Sequence, residues 1–160
     1  MAGAVLAIGT VLGVLAPVAG STAAWAGGPQ HVKSTISGQL TLRAGRLCDF
    51  TYHNAFTGTD NAIIFPDKMI EHIVINATHT NVNTGFTLTE TDHFTLITAA
   101  GQTKETGVQW HLRTADGKIV VVHAGKIVFS STGKVLSFTP NTSPDFGAVV
   151  CPALGGHTAG

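Results

Sequence analysis

The chain has 160 residues, no formal net charge at pH 7, and charged residues at only 11%, against about 25% in an average soluble protein. A length of this order is one domain, and its nine Lys and Arg are matched by nine Asp and Glu and scattered along the sequence, with no basic run of the kind a nucleic-acid backbone or an anionic membrane selects, so no nucleic-acid partner is expected. Thr, Ser, Asn and Gly supply the polarity instead, and these residues suit sheets and turns better than helices.

The first charged residue is Lys33. From Ala2 to Ala19 the chain is Ala, Val, Leu, Ile and Gly with one Thr and one Pro, and it is followed by Ser21 to Ala26, ending Ala24-Trp25-Ala26. An apolar stretch closed by a small-x-small site reads as a secretory signal, residues 1–26, cut after Ala26, although no Lys or Arg precedes the apolar run. The alternative is an uncleaved anchor, since about 18 apolar residues is near the lower limit for a span. Gly3, Gly9, Gly13, Pro17 and Gly20 make that helix a poor one. In either case the remainder lies outside the cytoplasm, and contact with a membrane is expected only through an uncleaved N-terminal segment.

Residues 27–37 read as a flexible leader, 38–154 as the folded domain and 155–160 as a flexible tail. Cys48 opens the patterned region and Cys151 closes it. In an oxidising compartment such a pair is expected to bond, closing a loop of about 100 residues for which the chain-entropy model gives about 4.7 kcal/mol.

Between the cysteines the chain breaks at Asn83-Thr84-Gly85, Ala100-Gly101, Asp116-Gly117, Ala124-Gly125 and Thr132-Gly133, and the intervening segments are rich in Thr, Val, Ile and Phe. No window sustains a helical period. The pattern predicts an all-β fold of seven or eight strands, a single antiparallel meander closing as a small β-barrel, with a two-sheet β-sandwich as the alternative. Ile70 to Ala77 and Lys118 to Val122 are nearly continuous apolar runs and are expected to be buried on both faces. Val108 to Arg113 and Phe86 to Thr89 alternate, with even positions apolar, and Phe94-Thr95-Leu96 resumes the same parity. Glu90 and Asp92 fall between on that parity. Strict alternation aims both carboxylates at the core, so either a bulge flips the strand there or the interior contains something polar.

Leu47-Cys48-Asp49-Phe50, the Asp-Gly-Lys and Thr-Gly-Lys turns, Gly125-Lys126-Ile127-Val128-Phe129 followed by Thr132-Gly133-Lys134-Val135-Leu136, and the closing Val150-Cys151-Pro152-Ala153-Leu154 together give a distinctive layout. In this it resembles a family of small exported β-rich proteins of high-GC Gram-positive (actinobacterial) bacteria with one Cys near each end of the domain. The resemblance spans roughly residues 48–154. It implies the meander and the disulfide and carries over no functional residue.

His31, His53, His72, His79, His93, His111, His123 and His157 are about twice the usual share, and they are the first place to seek a neutral-pH site. No HExxH, paired-cysteine zinc site, GxSxG or phosphate loop occurs, so neither a metal nor a cofactor is expected. The strongest polar constellation is Glu90, Asp92 and His93 with Glu71 and His72 on the neighbouring predicted strand. Pairing of 69–80 with 86–97 about a turn near Asn83 sets His72 opposite Phe94 or His93 and Ala77 near Leu88 or Thr89. Asp92 and His93, being adjacent, face opposite ways unless a bulge intervenes. The reading that follows is an exported, non-catalytic protein binding a small apolar ligand, with Phe86, Leu88, Phe94, Trp110 and Leu112 lining a barrel cavity, or binding a cell-envelope component. The rivals are a small hydrolase or isomerase using Glu90 and Asp92 with a histidine, and a purely structural surface protein.

Overall fold

The computed structural model describes residues 28–139 and 145–159; the expected signal segment, 1–26, lies outside them. The chain forms seven strands and one short helix: β1 Gln30–Leu42, β2 Tyr52–Ile64, β3 Lys68–Asn81, β4 Thr87–Ala99, β5 Gln102–Thr114, β6 Ile119–Ser130, β7 Val135–Thr139 and α1 Phe146–Ala153. The strands lie in one antiparallel sheet in sequence order, so the meander is the observed topology. Ala100 and Gly101 both have positive φ (49° and 73°). That is the geometry a two-residue hairpin requires to match strand twist.

The sheet is neither a closed barrel nor a sandwich: among the described residues it is a single sheet whose outermost strands, β1 and β7, do not pair with each other. The registers supply the reason. Leu42 lies opposite Tyr52, Tyr52 opposite Asn81, and Thr80 opposite Thr87, each hairpin pairing over its whole length. Closure needs a cumulative stagger between neighbours, and full-length hairpins accumulate none. β7, five residues long and joined through a register shift at Val128/Phe129, is also too short to meet the thirteen-residue β1.

Glycines let so long a sheet bend. Gly107 (φ 145°) sits opposite Phe94 on one side and Gly125 on the other, and a Cβ there would lie 2.3 Å from the His93 carbonyl. Gly58 is equally tight, 2.2 Å from the Val74 carbonyl. Ala124-Gly125, expected as a turn, is therefore mid-strand in β6: its glycine serves close backbone approach rather than chain reversal. β5 carries one extra residue against β4 between Leu112 and Val108, and a second shift against β6 between Val108 and Trp110. Such bulges increase local twist and bend.

Alternation assigns an inner and an outer face. The inner face carries Tyr52, Ala62, Ile73, Leu88 and Leu112, all buried, and α1 covers one end of it. There Cys48, Leu88, Leu112, Val150, Cys151 and Leu154 are 0% exposed, each large aliphatic side chain contributing about 1.5–3 kcal/mol. The Cys48–Cys151 disulfide, closing a separation of 103 residues, ties the β1–β2 connection to α1. Asp145 caps the helix by accepting from the Gly147 and Ala148 N–H groups, as Asp commonly does. Eight residues containing Pro152 are too few for a helical period to register in the sequence.

Two boundaries differ from the expectation. β1 begins at Gln30, so most of the expected leader is strand, held by pairs such as Lys33 with Asn61. The tail is pinned rather than loose: Asp49 N–H donates to the His157 carbonyl at 2.9 Å, and Ala159 N–H to that of Leu47 at 2.9 Å. Among the described residues no helix is long and apolar enough to cross a membrane.

Candidate functional site

β4 keeps its parity from Leu88 through Phe94 against β3, so Glu90 and Asp92 do point inward, 6% and 7% exposed. The bulge lies across from them, in β5. The interior is polar at this level. The partner that meets Glu90 is His79, which sequence reasoning counted but did not place. His79 Nε2 lies 2.7 Å from Glu90 Oε2, and Nδ1 is 2.6 Å from the Tyr52 hydroxyl and 3.1 Å from Asn54 Nδ2. Asn54 Nδ2 can only donate, so Nδ1 accepts, and Nε2–H donates to the Glu90 carboxylate. Phe146 of α1 and Tyr52 pack on the imidazole, with ring centroids at 5.7 and 5.9 Å.

Asp92 is the next inward position along β4 from Glu90, and its Oδ1 is buried without a hydrogen-bond partner. Burial pushes its carboxyl up to about 9, and the nearby Glu90 charge adds to the effect. Burial therefore favours its protonated form. Burial likewise lifts Glu71 to about 7, helped by the Asp60 charge beside it, and raises Asp60 and Glu105. The buried Tyr52 phenol is raised too, and His123 is pushed down by burial. Register puts all these carboxyls on the inner face, and carboxylates brought together away from water hold protons rather than charge.

The other candidates are dispersed. His72 and His93 sit on the outer face, exposed, with His72 opposite Thr95 and His93 opposite Val74. Ala77 lies opposite Glu90, a register one to two residues from the expected one. Glu71 is inward, opposite Ala62 and near Asp60 rather than Glu90. Nor do Phe86, Leu88, Phe94, Trp110 and Leu112 enclose a cavity. Leu88 and Leu112 are fully buried in solid core, Phe86 precedes β4 and is 58% exposed, and Trp110 packs against His123 and Phe146. Parity fails at Phe86 because the strand begins one residue later.

The outer face has the opposite electrostatics. Every acid within a strand, Asp60, Glu71, Glu90, Asp92 and Glu105, is inward, whereas the strand cations Lys33, Lys68, Lys104, Arg113 and Lys126 all fall on the outer parity. His31, His53, His72, His93 and His111 share that outer face. Lys33, Asn61, His72, Thr95, Thr106 and Lys126 make one row across six strands. A shallow groove of about 200 Å³ is lined by His31, Lys33, Asn61, Ile63 and His72. A second, of about 410 Å³, is lined by hydroxyl and amide side chains including Thr57, Asn76, Thr78, Thr89 and Thr91. Outer-parity residues predominate in both, joined by inner-parity Phe56, Ala77 and Glu90 in the larger and Val32 and Ala62 in the smaller. The charges that look scattered along the sequence are thus sorted by the sheet, acids in and cations out.

Among the described residues no group of three or more His, Cys, Asp or Glu could hold a metal ion. No family model matches the sequence, and comparisons with curated proteins and with solved structures find no match.

Proposed function

We propose that this is an extracytoplasmic, non-catalytic binding protein whose outer sheet face holds an anionic polymer of the cell envelope. The sorting of charge carries the reading: the outer parity presents Lys, Arg and His with no strand-borne acid. Such a face attracts phosphodiester or carboxylate groups, and the Thr and Asn rows between the cations supply hydrogen-bond donors at about 4.8 Å from strand to strand. The Cys48–Cys151 disulfide supports an oxidising compartment, in keeping with a signal-like leader. Long-chain inorganic polyphosphate serves as the probe. Binding is expected to weaken steeply with salt. Lys33→Glu combined with Lys126→Glu is expected to weaken it at least tenfold. Equal binding to a neutral polysaccharide, or indifference to salt and to both substitutions, refutes the proposal.

The chain Tyr52–His79–Glu90 favours a second reading, a small hydrolase or isomerase with His79 as base and Glu90 orienting it. Against it stands access, since His79 is 2% exposed beneath Phe146. Turnover on a panel of small esters that disappears in Glu90→Gln while the fold persists is the result that reading needs.

A further inference from the structure

Among the described residues β1 is an edge strand, thirteen residues long, and natural sheets shield such edges with prolines, bulges, charges or short length. The opposite edge is shielded in this way: β7 is five residues long and irregular in register. β1 is not. It has no proline, pairs with β2 without a register break from Gln30 to Leu42, and carries a single charge, Lys33. Its inner parity leaves Val32 47% and Leu40 41% exposed, two large apolar side chains on one strand with nothing to cover them among the described residues.

The strand is self-complementary. In an antiparallel pair, opposed residues must share parity, both for hydrogen bonding and for facing. Of the permitted two-fold registers, only one uses the whole strand, the one with its axis at Ile36. It sets Ile36 against Ile36, Val32 against Leu40 and Ser34 against Gly38 on the inner face, and Lys33 against Gln39, Thr35 against Ser37 and His31 against Thr41 on the outer. The exposed valine and leucine cover each other, and the only charge meets a neutral amide. About a dozen backbone hydrogen bonds would form.

We propose that β1 pairs with β1 of a second copy of this chain about a two-fold axis at Ile36, joining two seven-stranded sheets into one continuous sheet. The axis stands perpendicular to the sheet, so both outer faces look the same way and the dimer presents a doubled cationic surface. The pairing stands independently of what that surface binds.

Sedimentation of the purified protein across the micromolar range tests the stoichiometry, and single-cysteine variants test the register. Across the axis the Ile36 side chains are neighbours, about 5 Å apart at Cβ. Ile36→Cys is therefore expected to oxidise to a covalent dimer of twice the single-chain mass. His31 lies opposite Thr41, which puts the two copies of position 31 about 33 Å apart, so His31→Cys stays single under the same oxidation. A protein that sediments as one chain throughout, a dimer in which Ile36→Cys fails to cross-link, cross-linking at position 31, or growth into filaments through β1 and β7 would each overturn the proposal.

Discussion

Asp92 offers the sharpest test of the buried acid network. In the unfolded chain its carboxyl ionises near its ordinary value of 3.8, whereas in the folded protein burial and the Glu90 charge hold the proton to about 9. Between those values the folded state binds more protons than the unfolded one, so stability is greatest below the lower value and falls as pH rises through the window. Each pH unit in the window removes about 1.4 kcal/mol. At pH 7, some three units above the ordinary value, the accumulated loss is about 4 kcal/mol, a large part of a marginal total. Asp92→Asn keeps the neutral shape and removes the ionisation from both states. The variant is expected to be more stable than wild type at pH 7 by up to about 4 kcal/mol and to lose about 1.4 kcal/mol per pH unit from its stability slope. Glu71, held to about 7, leaves a residual slope on the acid side of neutrality. Urea unfolding followed by tryptophan fluorescence from about pH 5 to about pH 8 reads both quantities. A wild-type stability that is flat or rises over that range, or an Asp92→Asn protein no more stable at pH 7, refutes the reasoning.

Removing the disulfide with Cys48→Ala and Cys151→Ala releases a loop with a sequence separation of 103. The midpoint of unfolding should fall by the equivalent of about 4–5 kcal/mol, and a change below about 1 kcal/mol means that α1 docks without its tether. Gly107→Ala forces a Cβ against the His93 carbonyl at a φ of 145°. It should lower stability by about 1–3 kcal/mol, measured by the same urea titration, whereas an unchanged midpoint shows that the sheet does not need its sharp approach there.

Strand content was legible in the sequence because a period of two is a local property. Thr, Val, Ile and Phe between Gly-bearing turns located the hairpins at Asn83, Ala100, Asp116 and Thr132, and parity alone aimed Glu90 and Asp92 inward. Parity could not say what meets them. His79 reaches Glu90 only through the β3–β4 register and is held by Tyr52 and Asn54 through the β2–β3 register, and no local pattern encodes two registers at once. The choice of an open sheet over a barrel was hidden for the same reason, since stagger is a sum over neighbouring pairs. The helix was invisible because its stability comes from Val150, Cys151 and Leu154 docking on the core and from a bond to Cys48, not from eight residues of helical propensity.

Local sequence was enough for the chemistry of each strand: which residues alternate, where the chain turns, and that two cysteines stand far apart at positions 48 and 151. How the charges are shared out was settled by the assembled sheet, because a bulge in β5 shifts parity partway along that strand and turns Glu105 inward and Lys104 outward, the reverse of what the even, inward parity of Leu112 gives. A carboxylate and an ammonium adjacent in sequence then end in different solvents. Facing is relative to a register, and a register exists only once distant strands have met.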